Sequence, residues 1–193
     1  GTVAWGPNWA YADISGHSEI HNGAAIGSFT TKIENIPIAL RFRAARPTPK
    51  RLELIYELKA EKDTRLTQFV VELSPGKAFA GRQVTVESAG QQSEVPCPFG
   101  RRMIGEQVSA LRLSDEAGLE TIVRFDPPVE ISADGAARIV LSKELLRASD
   151  PQRLTIRIEL PDATEWFAGA AEMPEESGIA EWYPWRADGA ATD

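Results

Sequence analysis

The sequence predicts an all-β protein, an antiparallel β-sandwich of the jelly-roll or Ig-like kind with about nine or ten strands. Three observations support this fold class. Apolar and polar residues alternate over several stretches, turn-forming residues recur about every eight to twelve positions, and strands do not alternate with long helical patterns. With 193 residues, 42% of them hydrophobic, the chain can build one sandwich with a proper core.

The clearest alternation lies in Arg51–Ser74. Every second residue from Leu52 to Ala60 is apolar, which is the period of a strand with one face on a core. A charged connection, Glu61–Arg65, separates this strand from a second one with a similar pattern. The sequence therefore predicts a long antiparallel hairpin, which other strands must cover with a second layer.

The remaining elements follow from the same signals. Residues 1–28 lack a clear period, so we expect an extended segment with at most short strands, and residues 91–105 predict a surface loop. Ser142 is the expected N-cap of one or two helical turns over 142–148. Pro127 and Pro128 predict a corner. Further strands are predicted at Phe29–Ala44, Arg82–Ser88, Glu106–Ser114, Leu119–Asp126, Val129–Ser132, Ala137–Ser142 and Arg153–Leu160.

Charge is divided unevenly along the chain. The net charge is −7, yet residues 1–160 hold 20 basic and 20 acidic side chains, whereas 161–193 hold only Arg186 against eight acids. We interpret 1–160 as the sandwich domain and 161–193 as an irregular acidic, aromatic tail or linker that packs on it. A neutral body without a basic stripe argues against nucleic-acid binding, and no basic amphipathic segment indicates membrane attachment.

The sequence shows no clear targeting segment and no sign of cysteine chemistry. No run approaches the roughly 18 apolar residues of a membrane-spanning helix, and the first residues lack the pattern of a signal peptide, so we expect a mature or excised soluble piece. Cys97 is the only cysteine, which excludes an internal disulfide, and its nearest cation along the chain is Arg101, so no reactive thiol is expected. Arg101 and Arg102 could clamp an anion, although solvated surface charge is the ordinary outcome.

The tryptophans are confined to the two ends of the chain. Because the ends of a domain often lie close together, these rings could form one aromatic surface. Such a surface suits sugar binding, because the C–H face of a pyranose stacks on an aromatic ring. Two alternatives stay open: the rings cover the open sides of the sandwich, or they dock onto a following domain. The five tryptophans are Trp5, Trp9, Trp166, Trp182 and Trp185, and the candidate carbohydrate-binding residues are Trp5, Trp9, Tyr11, Trp182, Tyr183 and Trp185.

Both histidines lie in the segment Gly16–Asn22. On an extended strand His17, Glu19 and His21 project to one side, and two imidazoles with one carboxylate are a known set of metal ligands. A polar loop whose histidines bond to the backbone is the alternative reading. The sequence thus leaves open a small metal-dependent enzyme that uses these three residues, although no carboxylate stands in the apolar setting that acid catalysis needs.

The succession VRFDPPVEISADGAARIVLS, RLTIRIEL and IAEWYPWRADGAATD resembles the N-terminal β-sandwich regions that precede the catalytic barrels of large bacterial glycoside hydrolases. In such enzymes the catalytic acids lie in the following barrel, so the resemblance implies no catalytic residue in this chain. It implies a soluble, non-catalytic accessory module of a polysaccharide-degrading enzyme, which binds polysaccharide or supports the adjacent catalytic domain.

The resemblance also implies an extracellular or periplasmic location. Many such modules hold a structural calcium ion, for which the sequence shows no ligand cluster, and no other cofactor is expected. A purely structural protein-interaction domain is the remaining alternative, and it would bury the tryptophans within the sandwich.

Overall fold

Short alternating segments, separated by tight turns, become strands throughout the part of the chain that the structure describes. A computed structural model describes residues 1–161. Two short 3-10 turns, Pro7–Trp9 and Lys77–Phe79, are the helical elements there. The strands are β1 (Thr2–Trp5), β2 (Tyr11–Ala12), β3 (Ser15–His21), β4 (Ala24–Ile33), β5 (Ile36–Thr48), β6 (Arg51–Ala60), β7 (Thr64–Leu73), β8 (Gln83–Ser88), β9 (Gln91–Pro96), β10 (Arg101–Ser114), β11 (Glu120–Asp134), β12 (Ala136–Leu146) and β13 (Gln152–Glu159).

All strand pairs among the described residues are antiparallel, which confirms the predicted fold class. The hydrogen-bonded order is β2-β1-β7-β12-β11-β13-β6-β5-β4-β3, with β10 added on β11, β8 on β10 and β9 on β8. The sheet curls around one hydrophobic core. Within residues 1–161 thirteen strands form it, more than the nine or ten that the sequence predicts.

The inner face of β6 shows why the alternating pattern is informative. Its alternate residues from Leu52 to Ala60 are all buried, whereas the residues between them, three charged side chains and Ile55, are exposed or half-buried. On the neighbouring strand β13, Leu154, Ile156 and Ile158 are also buried, as predicted. Each fully buried aliphatic side chain of this kind contributes roughly 1.5–3 kcal/mol. The core on this side of the molecule is therefore built by residues that the period of two identifies.

The predicted hairpin between β6 and β7 is wrong. Both strands exist where expected, but β6 pairs with β5 and β13, whereas β7 pairs with β1 and β12. The curled sheet has two arms on either side of β11, one formed by β13-β6-β5-β4-β3 and the other by β12-β7-β1-β2. The connection Glu61–Asp63 carries the chain from the first arm to the second. A strand with one apolar face can pair within its own sheet or face a second layer, so alternation alone does not determine the partner.

Three further local predictions are corrected by the structure. Residues 1–28 contain the strand β3 and the start of the ten-residue strand β4 instead of at most short strands, and 91–105 contain β9 and the start of β10 instead of a loop. Ser142 does not cap a helix, because β12 runs on to Leu146. Pairing with β7 through two bulges holds this segment extended, and the tertiary ladder overrides its helical propensity.

The corner predicted at Pro127-Pro128 takes the form of a change of partner within β11. Before the prolines, Ile122–Asp126 pairs with β13, and after them Ile131–Asp134 pairs with β12. Proline cannot donate a ladder hydrogen bond, which suits a place where pairing is interrupted. The two arms of the sheet therefore diverge at this point.

The outer faces carry ion pairs between neighbouring strands. Arg112 Nε lies 2.6 Å from Glu87 Oε1, and Arg124 Nε lies 3.0 Å from Glu159 Oε1. Pairs of this kind, partly exposed to solvent, each contribute at most about 1 kcal/mol.

No helix in the described residues is long and apolar enough to cross a membrane. Apart from Pro161, the predicted acidic tail 161–193 lies outside the described residues.

Candidate functional site

The first aromatic residues stand on a tight loop between β1 and β2. Within it, Gly6 N–H donates to the Ala10 carbonyl at 2.7 Å, and Ala10 N–H donates to the Pro7 carbonyl at 3.3 Å. Asn8 and Trp9 both have left-handed backbone angles, with φ of 58° and 62°. Such a φ is uncommon for a bulky residue and is a reason to look for function. The Trp9 side chain is 60% exposed.

Thr67 on β7 fastens this loop to the sheet. The register between β7 and β12 shifts at this point, and Thr67 is the extra residue of the bulge. Its hydroxyl donates to the Gly6 carbonyl at 2.8 Å and accepts from the Trp9 backbone N–H at 3.4 Å. The bulge thereby turns a side chain from the ladder towards the loop and supports the unusual backbone of Trp9.

Trp5, Trp9 and Tyr11 lie together on the outer face of the sheet. Trp5 and Tyr11 are direct cross-strand partners, so their side chains share one face. The Trp5 and Trp9 rings meet edge to face, with centroids 5.8 Å apart and an interplanar angle of 69°. Tyr11 is 66% exposed. The half of the predicted aromatic surface that falls within the described residues therefore forms one continuous group.

Arg138 on β12 lies over the Trp5 ring. Its guanidinium carbon lies 5.2 Å from the ring centroid, within the range of a cation–π contact. The same guanidinium bonds to Glu72 Oε1 at 3.0 Å and approaches Asp134 Oδ2 at 3.3 Å. Trp5 thus contacts both Arg138 and Trp9.

The C-terminal members of the predicted surface are not among the residues that the structure describes. Trp166, Trp182, Tyr183 and Trp185 lie outside the described residues. That the two ends of the chain share one aromatic surface therefore stays a prediction.

The predicted metal set lies on β3, at the end of the sheet. His17, Glu19 and His21 pair with successive alternate residues of β4, so they share one face, and all three are exposed. At the rise of a strand, His17 and His21 stand roughly 13 Å apart along the backbone. His21 Nε2 lies 3.2 Å from Asn22 Nδ2. Within residues 1–161 no group of three or more His, Cys, Asp or Glu side chains is placed to hold a metal ion.

The single thiol and the arginine pair have ordinary settings. Cys97 is buried, and its burial raises the pKa of the thiol above its usual value, which lowers the fraction of reactive thiolate. Arg101 and Arg102 are exposed at the start of β10, where solvent surrounds their side chains. Neither feature adds a chemical function to the aromatic group.

Sequence reasoning missed the residues that organise this site. Thr67 fits the alternating pattern of β7, and nothing in that pattern signals a bulge. Arg138 is one of many charged residues on outward-facing strand positions, and only the register between β7 and β12 brings it near Trp5. The long-range pairing of β7 with β12 brings both residues to the site, and the local sequence does not show which strands pair.

No protein-family model matches the sequence, and no curated protein matches it. Solved structures do match the fold. A proposed kojibiose phosphorylase from the human microbiome aligns with a TM-score of 0.50 and 10% identity over 82% of this chain. That alignment covers 21% of the phosphorylase chain, so this chain spans about a fifth of that protein.

Two other solved structures are similar at a slightly lower level. A proposed aldose 1-epimerase from Escherichia coli K12 gives a TM-score of 0.47 and 10% identity, covering 80% of this chain and 70% of its own. A GH36 alpha-galactosidase from Geobacillus stearothermophilus, in complex with stachyose, gives 0.48 and 11%, covering 83% of this chain and 30% of its own. All three names are those of enzymes that act on sugars, and at such identities the likeness concerns the fold alone.

Proposed function

We propose that this chain is a non-catalytic accessory module that binds carbohydrate through Trp9 and Tyr11 and belongs to a longer polysaccharide-degrading enzyme. The observation that carries the proposal is the pair of exposed rings, 60% and 66% accessible, beside a loop that Thr67 fastens to the sheet. Exposed aromatic side chains in a fixed position offer a sugar a stacking face.

The fixed loop matters for affinity as well as for shape. A flexible aromatic side chain must be ordered when a ligand binds, at about 0.5–1.5 kcal/mol for each immobilised side chain. Here Thr67 holds the loop backbone, and the Trp5 ring contacts Trp9 edge to face, before any ligand arrives. Most of the ordering is therefore already present in the free protein.

The non-catalytic role is supported by carboxylates that form ion pairs between strands. Glu72 and Glu159 lie in ion pairs with arginines of adjacent strands, where they join the sheet together. The likeness to about a fifth of a much larger sugar-phosphorylase chain supports a place within a longer enzyme. In that setting the neighbouring catalytic domain and the polysaccharide are the two partners of the module.

Affinity electrophoresis in gels that contain soluble starch, xylan, β-glucan or galactomannan tests the proposal. We expect one of these polysaccharides to retard the protein, and Trp9→Ala and Tyr11→Ala to weaken that retardation by roughly tenfold, the equivalent of about 1.4 kcal/mol of lost stacking. Met103→Ala is the matched control, because Met103 is 54% exposed on β10, away from the loop.

The same gels address the C-terminal rings. Trp182→Ala and Trp185→Ala weaken retardation if both ends of the chain form one surface, and leave it unchanged if the N-terminal rings act alone. The proposal is wrong if no polysaccharide retards the protein, or if Trp9→Ala behaves like Met103→Ala.

A further inference from the structure

A cleft opens where the two arms of the sheet diverge. Strand β11 pairs with β13 from Ile122 to Asp126 and with β12 from Ile131 to Asp134. Residues 127–130 of β11 pair with neither of these strands. Across this gap β12 continues to Leu146 with β7 as its partner. The resulting cleft has a volume of about 410 Å³, which falls within the range of small-molecule sites.

Bulges shape the walls of the cleft. The register of β10 against β11 shifts between Gly105 and Val108, and that of β12 against β7 shifts on either side of Lys143. Gln107 and Glu144, which lie at these shifts, have left-handed φ angles of 53° and 66°. Bulges re-aim side chains and are common beside binding sites. Side chains at the two bulges therefore line an opening that a regular ladder would have closed.

The cleft is polar, but its charges balance. Glu106 and Glu130 line it together with Lys143 and Arg153, and Lys143 Nζ forms an ion pair with Glu130 Oε2. Bonding to Glu130 raises the pKa of Lys143, so the ammonium stays charged. A charged ligand would meet repulsion from half of these groups, whereas hydroxyl groups can both donate to carboxylates and accept from the ammonium. The exposed Leu145, 41% accessible, adds an apolar contact surface.

A row of side chains joins the cleft to the aromatic group. Tyr11, Trp5, Gln68 and Lys143 are consecutive cross-strand partners on β2, β1, β7 and β12. Directly paired residues share a face, so all four stand on the outer side of the sheet. At the spacing of neighbouring strands the row is roughly 14 Å long. Aromatic rings begin the row, an amide stands in the middle, and the ion pair of the cleft ends it.

We propose that this row and the cleft form a single groove for a neutral oligosaccharide, bound across the strands with one end at Trp9 and Tyr11 and the other beside Lys143 and Glu130. The inference rests on the proposed function and specifies its ligand as an uncharged chain of several sugar units. Short saccharides reach only the aromatic end of the groove, whereas longer ones also occupy the cleft.

Titration calorimetry with di- and hexasaccharides tests the groove. The probes are maltose, cellobiose and xylobiose with the corresponding hexasaccharides, and the variants are Lys143→Met, Leu145→Trp and Trp9→Ala in the full chain. Lys143→Met removes the ammonium, and Leu145→Trp fills the cleft without deleting a polar group. Lys32→Met, on β4, is the control for loss of an exposed lysine.

We expect a hexasaccharide to bind the unaltered protein at least roughly tenfold more tightly than its disaccharide. Lys143→Met and Leu145→Trp remove this advantage and leave disaccharide affinity unchanged, whereas Trp9→Ala weakens both. Equal affinity for short and long chains, or cleft variants that behave like Lys32→Met while Trp9→Ala abolishes binding, overturns the groove and leaves the proposed function intact. Absence of binding by every probe overturns the groove, and it overturns the proposed function as well if no polysaccharide retards the protein in the gels.

Discussion

The hydroxyl of Thr67 is the point at which the candidate site can be perturbed with the least change of shape. Replacing Thr67 by valine keeps a β-branched side chain of nearly the same volume but removes the bond to the Gly6 carbonyl at 2.8 Å and the longer bond from Trp9 N–H at 3.4 Å. The loop that carries Trp9 then loses its attachment to β7.

The expected magnitude follows from these two distances. A neutral hydrogen bond of good length contributes about 1 kcal/mol net, and one near 3.5 Å adds little. For a protein of this size, about 1 kcal/mol lowers the melting temperature by roughly 2–4 °C. If binding must first restore the same loop conformation, glycan affinity falls by roughly fivefold.

Thermal denaturation followed by circular dichroism and calorimetry with the retained glycan measure both effects. Thr85→Val on β8 is the matched control, since Thr85 forms no side-chain hydrogen bond with the described residues. A Thr67→Val protein that melts and binds like Thr85→Val would show that the loop does not depend on this hydroxyl, and the reasoning about a fixed Trp9 would be wrong.

Three other predictions concern the scaffold. Arg138→Lys keeps the charge but loses the planar contact with Trp5 and the geometry towards Glu72, so we expect a loss of about 0.5–1 kcal/mol in urea unfolding, with Arg138→Met losing more. Gly16→Ala places a methyl group against the Ser28 carbonyl and the Phe29 backbone, which the β3–β4 ladder holds in place, and should lower stability by about 1–3 kcal/mol, a result that unchanged unfolding would contradict. Because burial raises the pKa of Cys97, a thiol reagent at neutral pH should label the folded protein slowly and the urea-unfolded protein fast; equal rates would place the thiol at the surface.

The fold could be predicted because burial follows alternation strand by strand. The alternate apolar residues of β6 and β13 are buried where the period of two places them. Which strands become neighbours could not be predicted in the same way. The β6 and β7 patterns fit a hairpin as well as they fit two opposed arms, and only the complete set of strands decides between them.

The two largest local errors have a common cause. Ser142 precedes residues with good helical propensity, and 91–105 contain prolines and glycines, so local preference predicts a helix and a loop. In the structure, β12 and β9 satisfy their backbone groups in ladders with β7 and β8, and these long-range bonds outweigh local preference.

Trp9 and Tyr11 could be selected as candidates from composition, because the tryptophans are confined to the two ends of the chain and Tyr11 lies beside them; their role in carbohydrate binding stays a prediction. The residues that support these two rings could not be identified in this way. Thr67 acts through a bulge, and Arg138 and Lys143 reach the site through cross-strand register, none of which leaves a pattern in the local sequence.

The central claim is that the outer face around Trp9 and Tyr11 contacts carbohydrate. The most direct measurement is a titration followed by two-dimensional NMR of the tryptophan indole N–H signals, assigned by single Trp→Phe variants, with maltohexaose, cellohexaose and xylohexaose as probes. We expect one of these probes to shift the Trp9 indole signal in a saturable way. The shift for Trp5 should be smaller, because the Arg138 guanidinium lies over its ring. If a probe binds and the Trp9 signal does not move, or if neither these hexasaccharides nor an oligosaccharide of any polysaccharide that retards the protein shifts an indole signal, the face is not a carbohydrate site.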